Sequence, residues 1–297
     1  MKLSAKTQLC CLIGHPVSHS LSPTMHNAAF EALGLDICYL AFDVPPASLS
    51  LAMEGLRALG AIGMSVTIPH KQSVRNFIDE LDGDALLVGA VNCLAKRGPG
   101  WVGYNTDVRG FLVALEEVLE TSISGMSAVV LGAGGAARAV AVSLGRAGAS
   151  RVSVINRAGE RAKLLVDGLQ PHLEGTTFQA FAWDQAECGD ALATADLLIN
   201  ATPLGMSAVA GSEAWTESLL TFQKLALTRL PAHTVFYDLI YAPERTPFME
   251  LALASGHSAH NGLGMLLHQG AESFRLWTRR DAPISIMRAA MASDGTS

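Results

Sequence analysis

Short apolar runs punctuated by Gly and Pro alternate along this chain with longer stretches in which apolar residues recur every three or four positions. The first kind reads as buried strand, the second as amphipathic helix. Strands are expected at Leu9–Ile13, Tyr39–Val44, Gly63–Ile68 and Val91–Leu94. Helical patterns fall between them, as in SPTMHNAAFEALGL, with Ser22 as candidate N-cap and Pro23 at the first helical position. A second series follows: AVVLGAGG as strand and turn, ARAVAVSLGRAG as helix, and RVSVINR, ADLLINATP and TVFYDLIY as further strands. Asp107–Leu119 reads as a helix bridging the two series. In a last helix from about Leu263, Leu263, Leu266, Leu267, Phe274 and Trp277 fall near one stripe, and Met265 and Gln269 share another. The small, polar tail after Ile286 is expected to fray. Alternating β and α elements argue for an α/β fold of parallel sheets with crossover helices.

Composition narrows the function. The 297 residues, 49% of them apolar, suffice for two ordinary domains with sizeable cores. A net charge of −6 offers no footprint for nucleic acid or an anionic membrane surface. No stretch is long and apolar enough to span a bilayer. The five cysteines include no C-x-x-C pair and read as free thiols in a reducing cytoplasm.

The second series carries a cofactor signature. VVLGAGGAARA is G-x-G-x-x-A, from Gly132 through Ala133, Gly134, Gly135 and Ala136 to Ala137. It follows an apolar strand and opens a helix, the context in which glycines admit a pyrophosphate and the helix N-terminus supplies N–H donors. NAD sites often carry an acidic residue at the end of the next strand for the ribose 2′-OH. This chain has INRAGER there, with Asn156, Arg157 and Arg161. The arginines are four apart, so a short helical turn would put both on one side. A guanidinium pairs with a 2′-phosphate and stacks on adenine, which favours NADP over NAD.

In SVTIPHK, Ser65 and Thr67 alternate with Val66 and Ile68, Pro69 ends the pattern, and Lys71 stands beyond. A nicotinamide cofactor carries hydride, but the protein must still move a proton at the substrate oxygen. A lysine in a cleft suits that role, and Asp107 in GYNTDVRG is a candidate partner for it. Taken alone, each residue also fits a solvated surface charge.

The stretches GHPVSHSLSPTMHN, SVTIPHK, GAVNC, GYNTDVRG, GAGGAARA, INRAGER, INATPLGM, YDLIYAPERTPF and NGLGMLLHQGAESF occur in the order found in the shikimate dehydrogenase family, which the chain resembles along nearly its whole length. The resemblance implies NADP-linked, reversible reduction of 3-dehydroshikimate to shikimate, on the route to aromatic amino acids. It also implies a substrate-binding catalytic domain over residues 1–107 completed by 262–297, and a Rossmann-type doubly wound NADP-binding domain over 108–261. Carried over by residue, it makes Lys71 and Asp107 the proton-transfer pair. Ser20 and Ser22 would bind the substrate carboxylate, while Thr67, Asn92 and Gln269 would hold ring hydroxyls. Tyr241 would reach the substrate from the other domain, and Thr202, Leu239 and Gly262 would line the nicotinamide side. A homodimer remains an open expectation.

Two positions depart from the family pattern. Ser65 stands where the family usually has an Asn that contacts a substrate hydroxyl; the quinate/shikimate dehydrogenase branch is similar here, and a smaller residue would help admit quinate. Ala158 replaces a commonly hydroxylated residue after Asn156-Arg157. Ala158 and Gly159 also occupy the region where the dual-cofactor branch tends to carry an Asp, which again favours NADP. The rivals are an aminoshikimate dehydrogenase, a methylene-tetrahydrofolate-type dehydrogenase and a catalytically silent ligand sensor. A metal site from His15, His19 and His26 is weakly supported, having no acidic ligand nearby in sequence.

Overall fold

The run QLCCLIG forms strand β1 (Gln8–Gly14), whose last five residues are buried. A continuous apolar run suits a strand covered on both faces. β1 pairs in parallel with β2 (Ile37–Asp43) and with β3 (Gly63–Val66). The computed structural model describes residues 3–206, 208–225 and 227–294 and falls into two compact units. One comprises residues up to Gly110 with those from Leu266 onward, the other Phe111–Met265.

The sheet of the first unit is completed by β4 (Glu80–Leu81), β5 (Cys93–Arg97) and β6 (Gly100–Tyr104), in the order β2-β1-β3-β5-β6-β4. The expectation of a parallel sheet needs correcting here, because β5 runs antiparallel to both β3 and β6. The reason is a hairpin: Arg97 pairs with Gly100, leaving Gly98 and Pro99 as a two-residue turn, and Gly98 has φ 58°. The helix Leu263–Thr278 covers this sheet with Trp277. A Cβ at Gly63 would lie 2.3 Å from the Trp277 ring, and Trp277 Nε1 donates to the Leu94 carbonyl at 2.9 Å.

Two terminal details also differ from expectation. Ser22 is the first residue of the helix Ser22–Ala32 rather than its N-cap; Leu21 holds that position without a side-chain bond, and Ser20 Oγ accepts from the Ser22 N–H at 3.2 Å. The segment after Ile286 is helical through Asp294, because Met287 and Met291, four apart, bury one face. Residues 295–297 of the expected frayed tail lie outside the described residues.

The second unit holds β7 (Ser127–Leu131), β8 (Arg151–Asn156), β9 (Thr177–Ala182), β10 (Leu197–Asn200), β11 (Val235–Asp238) and β12 (Ala259–His260). Their order is β12-β11-β10-β7-β8-β9, and every pairing is parallel. This is the doubly wound arrangement, with its topological switch between β7 and β10. Val129, Leu131, Leu198, Phe236 and Phe248 share its core. No helix among the described residues is long and apolar enough to cross a membrane.

Candidate active site

In the first unit the helix Asp107–Leu119 begins with a carboxylate, a favourable charge at a helix N-terminus. Asp107 is 6% exposed and takes two partners. Lys71 Nζ donates to its Oδ2 at 2.6 Å, and Asn92 Nδ2 donates to its Oδ1 at 2.8 Å. Asn92 cannot turn the other way, since its Oδ1 accepts from the Thr106 N–H at 2.7 Å. Its amide also reaches Gln269 Oε1 at 3.4 Å, and Gln269 is itself oriented by donating to the Leu266 carbonyl at 2.8 Å. Gln269 comes this close because residue 110 is glycine: a Cβ there would stand 2.6 Å from the Gln269 backbone nitrogen. Thr106 and Ser273, joined at 3.1 Å, complete the network and were not picked out from the sequence.

Lys71, Asp107, Asn92 and Gln269 therefore form one connected group. The Lys71 side chain keeps 24% exposure against 8% for Asp107, so the ammonium is the end of the pair that faces outward. On β3, Gly63 and Ser65 alternate with Met64 and Val66, which enter the core beneath the sheet. Ser65 is 8% exposed and neighbours the buried Tyr39 phenol. Thr67 packs its methyl where a Cβ on Gly14 would stand 2.3 Å away. Among the described residues no hydrogen bond joins Ser20, Ser22, Ser65 or Thr67 to the Lys71–Asp107 pair.

His15, His19 and His26 do not act alike: His19 is exposed. His15 Nδ1 pairs with Asp43 at 2.6 Å, while His26 is buried and stacked on Tyr39 at 4.6 Å. Among the described residues no group of three His, Cys, Asp or Glu side chains is placed to hold a metal.

The second unit supplies a cradle at its switch point. Gly132 has φ 108°, and a Cβ there would come within 3.0 Å of the Ala201 carbonyl oxygen, so only glycine makes this turn. Gly134 differs: its φ is ordinary and a Cβ would meet nothing within 4 Å. No intramolecular contact demands glycine at that position, whereas a pyrophosphate approaching the backbone does. Gly134 caps the helix Gly135–Arg146, so the N–H groups of Gly135 and Ala136 open its first turn beside that space.

Asn156 ends β8, where its amide donates to the Ala158 carbonyl at 3.0 Å. Arg157 and Arg161 are exposed, and among the described residues no acidic side chain holds either guanidinium. They do not share a helical face as expected, because the helix starts at Gly159 and Arg157 lies in the bend before it. A free pair of guanidiniums beside the cradle fits a dinucleotide with a 2′-phosphate.

At the other half of the sheet, Leu239 and Gly262 meet through backbone, and Thr202 joins them through the Asn200 side chain, whose Oδ1 accepts from the Thr202 N–H at 3.0 Å. Leu239 N–H donates to the Asn200 carbonyl at 3.0 Å, and a Cβ on Gly262 would stand 2.1 Å from the Leu239 oxygen. Tyr241 is half-buried, and burial raises its phenol above the usual range. The buried Asn200–Asp238 pair at the ends of β10 and β11 was missed from the sequence, although both residues close strongly apolar strands.

A doubly wound unit with a glycine cradle, in a chain whose other unit holds a lysine–carboxylate pair, defines a dinucleotide-linked oxidoreductase. Family models match the chain in three parts: the shikimate dehydrogenase substrate binding domain over 12–94, shikimate / quinate 5-dehydrogenase over 114–217, and the shikimate 5′-dehydrogenase C-terminal domain over 262–292. A shikimate dehydrogenase (NADP(+)) from Symbiobacterium thermophilum is 46% identical over 279 residues, 94% of this chain and 92% of its own length. A crystal structure of a shikimate dehydrogenase in complex with NADP+ matches with TM-score 0.87 at 38% identity, covering 100% of this chain and 98% of that one. A quinate dehydrogenase from Corynebacterium glutamicum in complex with NAD matches with TM-score 0.83 at 31% identity, covering 97% and 99%. The chain belongs to the shikimate dehydrogenase family.

Proposed function

We propose that this protein catalyses the NADP-linked, reversible reduction of 3-dehydroshikimate to shikimate. The observation that carries the reading is the Lys71–Asp107–Asn92 constellation, whose Lys71 and Asn92 lie in the part of the chain matched by a substrate-binding domain model. The cofactor, when bound, supplies or accepts the hydride. It would be held by the cradle at Gly132, Ala133, Gly134, Gly135 and Ala136, with Asn156, Arg157 and Arg161 at its adenosine end. Lys71 moves the proton at the carbinol oxygen: as an ammonium it donates to the developing alkoxide, and as an amine it takes the proton back. Asp107 keeps the ammonium aimed, and Asn92 keeps the carboxylate from turning. Ser20, Ser22, Thr67, Gln269 and Tyr241 are assigned as substrate-binding residues. Residues up to 107 with those from 262 onward serve as substrate domain, and 108–261 as cofactor domain. The free thiols support a reducing compartment, the cytoplasm.

A second reading, a wider range that includes quinate, is favoured by Ser65, a short side chain at a position facing the same sheet surface as Gly63. Oxidation assays with shikimate, quinate and aminoshikimate, each with NADP and with NAD, test both readings. Turnover of shikimate with NADP supports the first, and added turnover of quinate the second. No turnover of shikimate by folded protein removes both.

A further inference from the structure

The ends of β10 and β11 hold a closed polar network that the reaction chemistry does not use. Asn200 and Asp238 are register partners, each the last residue of its strand and each fully buried. Asn200 Nδ2 donates to Asp238 Oδ1 at 2.9 Å, and the Ile240 N–H donates to the same oxygen at 3.0 Å. Thr246 Oγ1 donates to Asp238 Oδ2 at 2.6 Å and accepts from the Met249 N–H at the start of the helix Pro247–Ala254. On the other side, Asn200 Oδ1 accepts from the Thr202 N–H at 3.0 Å and from Thr202 Oγ1 at 2.6 Å. Thr202 Oγ1 in turn accepts from the Leu204 N–H at 3.2 Å. One carboxylate thus ties down the segment 201–204, the turn after β11 and the helix beginning at Pro247. Burial pushes that carboxyl up to about 7 despite its three donors, so a strongly desolvated acid is being kept at this point.

In a doubly wound sheet each half holds one mononucleotide, with the pyrophosphate crossing at the switch point. The free arginines follow β8 and mark that half for the adenosine. The half formed by β10, β11 and β12 is left for the other nucleotide. The segment 201–204 forms the wall on that side, pressed against the Gly132 turn.

We infer that Asp238 is a positioning residue for the nicotinamide half of the cofactor, acting through Asn200 on Thr202 and through Ile240 on the turn that carries Leu239. The inference rests on the NADP reading. It deepens that reading by separating a site for the adenosine half, which Asp238 does not govern, from one for the nicotinamide half, which it does.

The test is calorimetric binding of two probes, NADP+ and 2′,5′-ADP, to wild type and to Asp238→Ala, Asp238→Asn and Thr246→Val. Asp238→Ala should weaken NADP+ about tenfold, because three buried donors lose their acceptor and the wall relaxes. Its affinity for 2′,5′-ADP should stay within about twofold of wild type, since that fragment engages only the cradle and the arginines. Asp238→Asn, which keeps an oxygen toward Asn200 and Ile240, should recover most of the NADP+ affinity. If Asp238→Ala does not fold, Thr246→Val carries the test by loosening the carboxylate without removing it, and it should weaken NADP+ selectively by a smaller factor. Equal losses for both probes, or no loss for either, would overturn the inference and leave Asp238 a purely structural acid. Wild type that binds neither probe would overturn the NADP reading itself and the inference with it.

Discussion

Lys71 Nζ sits 2.6 Å from Asp107 Oδ2, on a carboxylate whose other oxygen is already taken by Asn92. The carboxylate is therefore held at both oxygens, and it in turn holds the ammonium. Replacing Lys71 by Met keeps much of the side-chain length and removes the proton carrier. The expected result is a loss of roughly 10²–10⁴ in kcat, with NADP+ affinity nearly unchanged. Asp107→Asn should also lose activity, and the double variant should be less impaired than the product of the two single losses, as groups acting as a unit require. Steady-state kinetics with cofactor titration checks this. A folded Lys71→Met protein with near-native kcat would return the lysine to a surface-turn role.

Cofactor choice should rest on Arg157 and Arg161. Both are exposed, and among the described residues no acidic side chain pairs with either, so a phosphate suits them as a partner. Arg157→Ala should weaken NADP+ more than NAD+. A charged hydrogen bond to phosphate is worth roughly 1.5–3 kcal/mol, and solvent exposure places this one toward the low end of that range. Competitive titration of the two cofactors measures the ratio; equal losses would remove the arginines from phosphate recognition.

These assignments show how far the sequence was legible. The cofactor half could be read because its signature is local: apolar strand, glycine turn and helix follow one another within residues 128–146. The alternation of β and α segments predicts a parallel first sheet, but Gly98-Pro99 makes a two-residue hairpin turn that this alternation does not announce, and β4 is only two residues long. The meeting of Asn92 with Gln269 spans 177 positions, and no local pattern announces it. Lys71 and Asp107 are candidate partners on chemistry alone, but only the family resemblance makes them the proton-transfer pair, since in isolation each looks like a surface charge. Asp238 went unnoticed because its role depends on the register that sets β11 beside β10.

Substrate breadth turns on Ser65. It is nearly buried and lies beside Tyr39, so a larger side chain there must change the shape of its surroundings. Ser65→Asn should shift preference toward shikimate over quinate, by an amount in the range of about 1–3 kcal/mol typical of one altered pocket contact. The kcat/KM ratio for the two substrates is the measurement. An unchanged ratio would mean that Ser65 serves Tyr39 and not the substrate.

Two buried groups should pull the stability of the fold in opposite directions with pH. Asp238 is raised by burial from 3.8 to about 7, so across that interval the folded chain holds a proton that the unfolded chain has lost. Its contribution therefore falls as pH rises from about 4 to about 7. His26 is lowered by burial from 6.5 to about 3, and neither ring nitrogen has a hydrogen-bond partner among the described residues. Here the unfolded chain binds the extra proton, so the His26 contribution falls as pH drops from about 6.5 toward about 3. The ring is held by stacking on Tyr39 and against Trp277 at 5.0 Å, contacts that a Phe can also make. His26→Phe should flatten the acid side of the stability profile, and Asp238→Asn should flatten the decline between about pH 4 and 7. Urea unfolding of both variants and wild type, at half-unit steps from pH 4 to 8, gives the slopes. A His26→Phe profile that still parallels wild type below pH 6.5 would show that His26 is protonated in the folded protein.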